Sequence, residues 1–485
     1  MQVLAAAVGI AAVLKHQSKL LALALSLTLI SLALISSYFD YETPFSPFWT
    51  SVNIALMVTS GLLFLLLIKS VFKKDLSDKS FFTFLLMGLA LRAIFIPTPP
   101  ILEDDLYRYF FDGSIAIHGH NPYNHKPSDA YSKIEKDIVG EVAIEANMQL
   151  LYLHDFHLFS RVAYPEIKTI YPLTAQVIFA ISAMFDEFNI QVWRCVLIGI
   201  EVITLFLLMK LLHLLPVKRT WSLIYWLNPL LITEGVNAAH MDVVLVPFLL
   251  LTLIAVHFRH YGVAGICIGL AAGVKVWPVL LVPVIAAYMI RQSKTFVVFL
   301  IGFIVTCTLV FLPQILALDT EAGLVKYAQH WQVNSFIFNL IHSAMFDFIY
   351  ADITARVIVA SVVGGTGLFA AWRVLKCTPS LAINDLAHWC LWIALLLFLL
   401  SPTGYPWYSF WFFPFLALAM NHRTWPILLL TATLPLYDMR YLIADFQHPI
   451  LWQWAVVTLT FLPVIVCLLI QNFQKNAPKT QPSLN

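Results

Sequence analysis

Apolar runs of about 20 residues, each long enough to cross the hydrocarbon of a bilayer as a helix, recur along almost the whole chain. They fall at roughly 20–38, 50–72, 80–97, 186–212, 220–235, 241–258, 261–275, 277–290, 295–313, 353–375, 386–401, 406–421, 424–437 and 450–470. The pattern predicts an all-α transmembrane bundle of about 12 to 14 spans. Residues 1–14 form a shorter apolar stretch, cut off from the next run by Lys15-His16-Gln17-Ser18-Lys19. A secretory leader carries its charges ahead of its apolar core. The order found here predicts an interfacial helix followed by an uncleaved first span.

One long polar interruption, residues 98–168, breaks the rhythm. Pro97-Thr98-Pro99-Pro100 stops the third span, because prolines cannot continue a helix. Glu103-Asp104-Asp105-Leu106-Tyr107-Arg108-Tyr109 then opens a helix predicted over 104–118. Asp105, Arg108 and Asp112 share one face at i, i+3 and i+7, and Leu106, Phe110 and Ile117 share another. That is the pattern of an amphipathic helix lying on a membrane surface. Gly119-His120-Asn121-Pro122-Tyr123 ends it, and Pro127-Ser128-Asp129 begins a second surface helix. The chain is read as a single domain: the 98–168 loop carries the acidic run, spans 186–470 build a groove, and 472–485 form a polar tail.

Composition agrees with the pattern. Hydrophobic residues make up 60% of the 485 and charged residues 12%, with a mean hydropathy of +0.82. No soluble globular protein has that balance. The net charge of +2 is scattered over span ends, which excludes a nucleic-acid partner. Cys195, Cys267, Cys307, Cys377, Cys390 and Cys467 stand singly, without the spacing of a metal knuckle or a redox pair, and read as packing residues.

Lysine and arginine sort the loops. Cytoplasmic loops carry their excess, and Lys73-Lys74 with Lys79, Lys218-Arg219, Arg259, Arg291, Arg373 with Lys376, Arg423, and Lys475 with Lys479 fall on one side if 165–212 crosses once. Tyr171–Phe185 is then a half-inserted or surface helix. Both termini are placed in the cytoplasm. The 98–168 loop, 237–242, 319–339, 401–408 and 437–448 gather on the outer face, which is periplasmic if the membrane is a bacterial inner membrane.

Three consecutive carboxylates cannot lie in hydrocarbon. A helix N-terminus favours one acid by a few tenths to about 1 kcal/mol, and three exceed that need. Each outer-face candidate also has a plainer reading. Lys275 between two apolar runs binds phosphate or snorkels to the surface. Asp242, two residues after His240, acts in a site or caps a helix. Arg108 binds substrate or pairs along its helix with Asp105 or Asp112. Tyr171 with Pro172 starts a helix or lines a site, and Trp407-Tyr408 belongs to a site or to the interfacial aromatic belt. His330-Trp331 offers a face for sugar stacking. Glu103, Asp104 and Asp105 are also hard oxygen ligands for a divalent metal, a point the sequence leaves undecided.

These residues resemble the multi-span, lipid-dependent sugar transferases of the GT-C superfamily, in particular the bacterial family 87 mannosyltransferase-like proteins. The resemblance rests on Glu103–Tyr109, Asp112-Gly113 and Gly119–Tyr123. It extends through Tyr171-Pro172-Leu173, Asn228-Pro229, Glu234, Asn237–Asp242 and Gly269–Pro278, and ends at Pro406-Trp407-Tyr408 with Pro414. It implies a glycosyltransferase that moves a hexose, mannose by analogy, from a polyprenyl-phosphate donor to a hydroxyl of a glycan or glycolipid acceptor with inversion. Glu103, Asp104 and Asp105 are then the catalytic candidates. Arg108, Tyr107, Tyr171, His240, Asp242, Lys275, His330, Tyr408 and Arg440 are candidates for substrate or phosphate, with Arg161 a further outer-face cation. The family's carboxylates often read Asp-x-Asp, whereas this chain has Glu103-Asp104-Asp105, so the identity of the base is open. A lipid-phosphate leaving group needs no general acid, so one carboxylate suffices as base. The alternative is a lipid-linked sugar flippase or another transporter, which would show paired repeats and mid-span ionisable residues.

Overall fold

The computed structural model describes residues 2–73, 76–128, 161–215, 217–292, 296–319, 323–345, 349–376, 383–443 and 447–476, without the side chains of 2–16, 292, 324, 328–330 and 472–476. The helices of eight residues or more are α1 (Gln2–Ile35), α2 (Pro47–Phe72), α3 (Asp78–Ala93), α4 (Asp105–Ile117), α5 (Leu173–Phe185), α6 (Ile190–Leu214), α7 (Leu245–His257), α8 (Tyr261–Ala272), α9 (Val282–Gln292), α10 (Phe296–Leu316), α11 (Gly323–His330), α12 (Ile337–Ala344), α13 (Ala351–Lys376), α14 (Ile383–Leu400) and α15 (Pro449–Asn476). Among the described residues, β structure amounts to one isolated bridge between Val333 and Thr403. The fold is an all-α polytopic membrane bundle.

Among the described residues, seven helices are long and apolar enough to cross a bilayer. They coincide with the expected runs at 20–38, 50–72, 186–212, 295–313, 353–375, 386–401 and 450–470. Within the described residues the other expected crossings, several of them shorter than a bilayer by sequence, are short or broken helices. The 80–97 run is α3, with 16 residues. Pro229–Asn237 and Met241–His257 meet at a 108° bend. Residues 406–419 and 425–439 are chains of 3-10 and short α turns.

Proline explains the breaks, since Pro229, Pro278, Pro406, Pro414, Pro426 and Pro435 each stand at the start of one of these turns, where a missing N–H costs nothing. Irregular backbone survives at membrane depth only when protein covers it. Accordingly, 223–233 and 406–420 are buried almost throughout. Regular helices form the outside, and α10 exposes Val297, Ile301, Ile304, Val305, Leu309 and Ile315 along one side, as lipid contact requires.

Two local expectations also change. The chain from Gln2 to Ile35 is one unbroken helix, not an interfacial helix followed by a separate span. The helix expected to lie on the membrane surface is α4, and Leu106 to Ile115 within it are all buried. Its polar residues find partners inside the protein, so amphipathic spacing here marks a helix threaded through a polar interior. Gly113 lets it approach α5, because a Cβ there would meet the Phe179 carbonyl oxygen at 2.5 Å. Pro127 and Ser128 are helical, as the start of the second expected helix requires; its continuation from Asp129 and the tail beyond 476 lie outside the described residues.

Candidate active site

The acidic run divides its labour. Glu103 turns back on the start of α4, where its Oε1 accepts the N–H groups of Asp104 at 3.1 Å and Asp105 at 3.0 Å, so this carboxylate caps the helix. The carboxylate of Asp104, at the cap position itself, makes no capping bond. Asp104 and Asp105 are thereby left for other work, and both line a cavity.

A second element meets the run from behind. At the bend after Asn237 the chain places Ala239 at φ +60°, a left-handed conformation costly for a residue with a Cβ. Its carbonyl accepts a 2.8 Å bond from the Trp193 indole. Asn237 stitches the bend to the loop before the acidic run: Oδ1 accepts Ile101 N–H at 3.0 Å, and Nδ2 donates to Thr98 Oγ1 at 3.1 Å and Pro99 O at 3.0 Å. Buried Arg194 of α6 donates to the carbonyls of Phe95 at 2.8 Å, Ile96 at 3.1 Å and Asn237. One guanidinium therefore holds both segments that carry site residues.

His240 emerges from this bend fully buried. Its ring lies flat on Trp407, centroids 3.7 Å apart. Nε2 stands 3.3 Å from Glu103 Oε2 and 3.7 Å from Glu234 Oε2, while Nδ1 stands 3.9 Å from Asp105 Oδ2. Two residues on, both oxygens of Asp242 accept bonds from Lys275 Nζ, at 2.8 and 2.9 Å. The Trp411 indole donates to the same carboxylate at 2.8 Å, and Lys275 sits 4.1 Å from the Tyr408 ring centroid.

Together these walls enclose a cavity of about 320 Å³. Glu103, Asp104, Asp105, Arg108, Lys168, Asp242, Lys275 and Arg440 supply its charge, and Tyr164, Tyr171, Trp277, Tyr327, Trp331, Tyr405, Trp407, Tyr408, Trp411 and Tyr437 most of its surface. Few polar groups converging in an aromatic cleft of this size is what a small-molecule site looks like. Burial, and next the charge of Glu103, push Asp104 up to about 6 and Asp105 up to about 7. Burial likewise raises Glu103 and lowers His240 to about 4. Carboxylates poised near neutrality in a cleft are suited to proton transfer.

Of the remaining candidates, Arg108 pairs with Asp112 at 2.9 Å, as the plainer reading foresaw, but the pair is buried. Asp112 also accepts bonds from Thr169 at 2.5 Å and Gln176 at 2.9 Å, tying α4 to α5. Arg108 Nη2 remains without a bond, and the residue lines the cavity. Arg440 is sandwiched by Tyr437 and Tyr441, 3.9 and 4.5 Å from their ring centroids. Its Nη2 meets Tyr441 OH at 2.5 Å, and that hydroxyl donates to Leu102 O at 3.0 Å. Tyr107 stands outside the cavity lining and accepts a 3.1 Å bond from Arg161. The side chain of His330 lies outside the described residues.

Sequence reading passed over Arg194, Tyr164, Tyr327, Tyr405 and Trp411. A charged residue inside a predicted span was a usable signal for Arg194. The aromatic residues carried none.

A helical bundle that buries broken helices around a polar cleft is the architecture of a polytopic membrane protein with an interior site. Residues 169–402, roughly half of the chain, match the family model described as Glycosyltransferase family 87, so the protein is a membrane glycosyltransferase, similar to family 87 over that region. No curated protein and no solved structure matches it. The matched region contains Tyr171, His240, Asp242 and Lys275, whereas the acidic run, Tyr408 and Arg440 lie beyond its ends.

Proposed function

We propose that this glycosyltransferase moves a hexose, mannose by the family resemblance, from a polyprenyl-phosphate donor to a hydroxyl of a glycan or glycolipid acceptor at the outer face of a bacterial inner membrane, with inversion. One observation carries the reading: Asp104 and Asp105, with raised proton affinity, share a single cavity with Lys275 and Arg440, which come from distant parts of the chain. In the reaction the acceptor oxygen bonds to the anomeric carbon from the face opposite the phosphate. The bond from that carbon to the phosphate oxygen breaks, and the lipid phosphate leaves with the electron pair. The acceptor proton passes to Asp105 or Asp104. Lys275, Arg440 and the unbonded Nη2 of Arg108 face the negative charge of the phosphate, where a well-placed donor lowers a barrier by about 3 to 4 kcal/mol. The exposed apolar helices around the cleft suit a lipid-borne substrate.

The test uses purified protein and its Asp104→Asn and Asp105→Asn variants with polyprenyl-phosphate mannose or glucose and a glycan acceptor. Loss of transfer of at least about a hundredfold in one variant is expected. Equal activity in all three would remove the carboxylate base, and movement of the lipid across vesicles without sugar transfer would establish a flippase instead.

A further inference from the structure

The cavity has a charge imbalance that its protein groups leave open. Of its four cations, Arg108 is paired with Asp112 and Lys168 with Asp319 at 2.6 Å, both acids lying outside the lining. Lys275 is held by Asp242. Among the described lining residues, Glu103 and Asp104 then feel the charge of Arg440, and Asp105 that of Lys275, which Asp242 already shares. Three carboxylates crowded together in a cleft of low dielectric repel one another, and a phosphate-bearing donor, to the extent that they are ionised.

His240 gives the imbalance a location. It is fully buried, and neither ring nitrogen has a hydrogen-bond partner, although unbonded buried polar atoms are uncommon and call for an explanation. One donor atom each from Glu103, Asp105 and His240 lie within 4.8 Å of one another. Donors bound to one ion at about 2.1 Å sit roughly 3 to 4 Å apart, so a small closure by the half-buried Asp105 carboxylate completes the set. The ring is fixed by its stack on Trp407, and Glu103 by its cap on α4; the ligands are held before any ion arrives.

We propose that Glu103, Asp105 and His240 bind one divalent cation at the back of the cavity. One ring nitrogen of His240 supplies the nitrogen ligand, Nε2 standing 3.3 Å from Glu103 and Nδ1 3.9 Å from Asp105, and the other is left for an outer contact of the kind that orients a metal-bound histidine. Two carboxylates and one imidazole favour Mn²⁺ or a similar borderline ion over Ca²⁺. The expected metal set changes accordingly: Asp104, the middle acid of the run, yields its place to His240, and with Asp105 on the ion it is Asp104 that remains as the base. The ion would offset the surplus negative charge and draw the donor phosphate toward Arg440 and Lys275, a role that rests on the transferase reading. Binding of the ion does not.

The experiment takes untagged full-length protein in detergent, stripped with a chelator and titrated with Mn²⁺, the free ion being read by electron paramagnetic resonance. One ion per chain is expected, with His240→Gln and Glu103→Gln each weakening binding about 10- to 100-fold while melting cooperatively. Absence of stoichiometric binding, or equal binding by His240→Gln, would overturn the site. Full sugar transfer by protein shown to be metal-free would overturn the ion's role in transfer and leave the transferase intact. Metal bound at the site without any transfer would leave the site standing and remove the transferase reading.

Discussion

Asp242 grips Lys275 with both carboxylate oxygens, at 2.8 and 2.9 Å, in the wall of the cavity. The ammonium group is thus held in place, its charge shared with a neighbour and its position set by the Tyr408 and Trp411 rings. Lys275→Ala should lower kcat/KM for the lipid-phosphate donor by about 10²- to 10³-fold, the cost of removing one well-placed donor. Asp242→Ala frees the ammonium to wander and should cost less. Because the two act as one unit, the double variant should be hardly worse than Lys275→Ala alone. Additive losses measured across the four proteins would show that Lys275 and Asp242 act separately.

Away from the cavity, Arg92 of α3 and Glu201 of α6 form an ion pair with no exposure at either side chain. Arg92 also donates to the carbonyls of Gly88 at 3.0 Å and Trp226 at 2.8 Å and lies 3.9 Å from the Trp226 ring centroid. The carbonyl of Trp226 precedes the break at Pro229, so the pair braces the broken segment that leads to His240. Removing one partner leaves a lone buried charge, and Arg92→Ala or Glu201→Ala should each destabilise by about 3 to 5 kcal/mol. An apolar pair, Arg92→Met with Glu201→Met, should recover most of that loss in thermal unfolding. A double variant as unstable as the worse single one would show that the charges themselves are required.

The long spans were legible because twenty apolar residues in a row have few other fates. The broken ones were misread for the same reason: at 220–258 and 406–437 hydropathy is high because these segments are buried in protein, and buried protein looks like lipid to a hydropathy scale. Pro229, Pro406 and Pro435 were visible, but only the fold shows that they let 3-10 turns replace spans. In the site, Glu103–Asp105 stood out because charge is conspicuous in an apolar sequence. Helical spacing offered Arg108 either Asp105 or Asp112, and the fold selects Asp112, whereas Asp242 with Lys275 joins residues 33 apart, and no local period reports that. The aromatic wall from Tyr164 to Trp411 resembles any membrane aromatic belt until the chain folds.

The raised acids make the protein's response to pH specific in sign. A folded pKa near 7 for Asp105, above the ordinary value of 3.8, means that folding favours its protonated form. The associated stability is present below about pH 4 and is lost as pH rises toward 7. In chelator-treated protein, Asp105→Asn should therefore melt higher than the unsubstituted protein at pH 8 and converge with it near pH 4. If Asp105 is the base, transfer has the opposite trend, falling below pH 7 as the carboxylate protonates. Parallel melting curves of the two proteins from pH 4 to 8 would mean that Asp105 is not under the strain its burial and the Glu103 charge imply.

Asn237 offers the most discriminating test of how the two halves of the site are held in register. Its side chain bonds Ile101 N–H, Thr98 Oγ1 and Pro99 O, so it links the bend that carries His240 to the turn that launches Glu103 and Asp105. It lies outside the cavity lining. Asn237→Ala removes three bonds whose partners stay part-buried, at a cost of about 1 to 3 kcal/mol for each one left unsatisfied, and it releases the 98–105 segment. A displacement of about 1 Å at a reacting group can cost a hundredfold in rate, so kcat should fall about 10- to 100-fold with little change in KM. Hydrogen exchange over 98–105 should rise at the same time. Normal protection of that segment in a variant of low activity would mean that Asn237 acts by some other route, and normal activity with rapid exchange would mean that the register it sets is not needed for transfer.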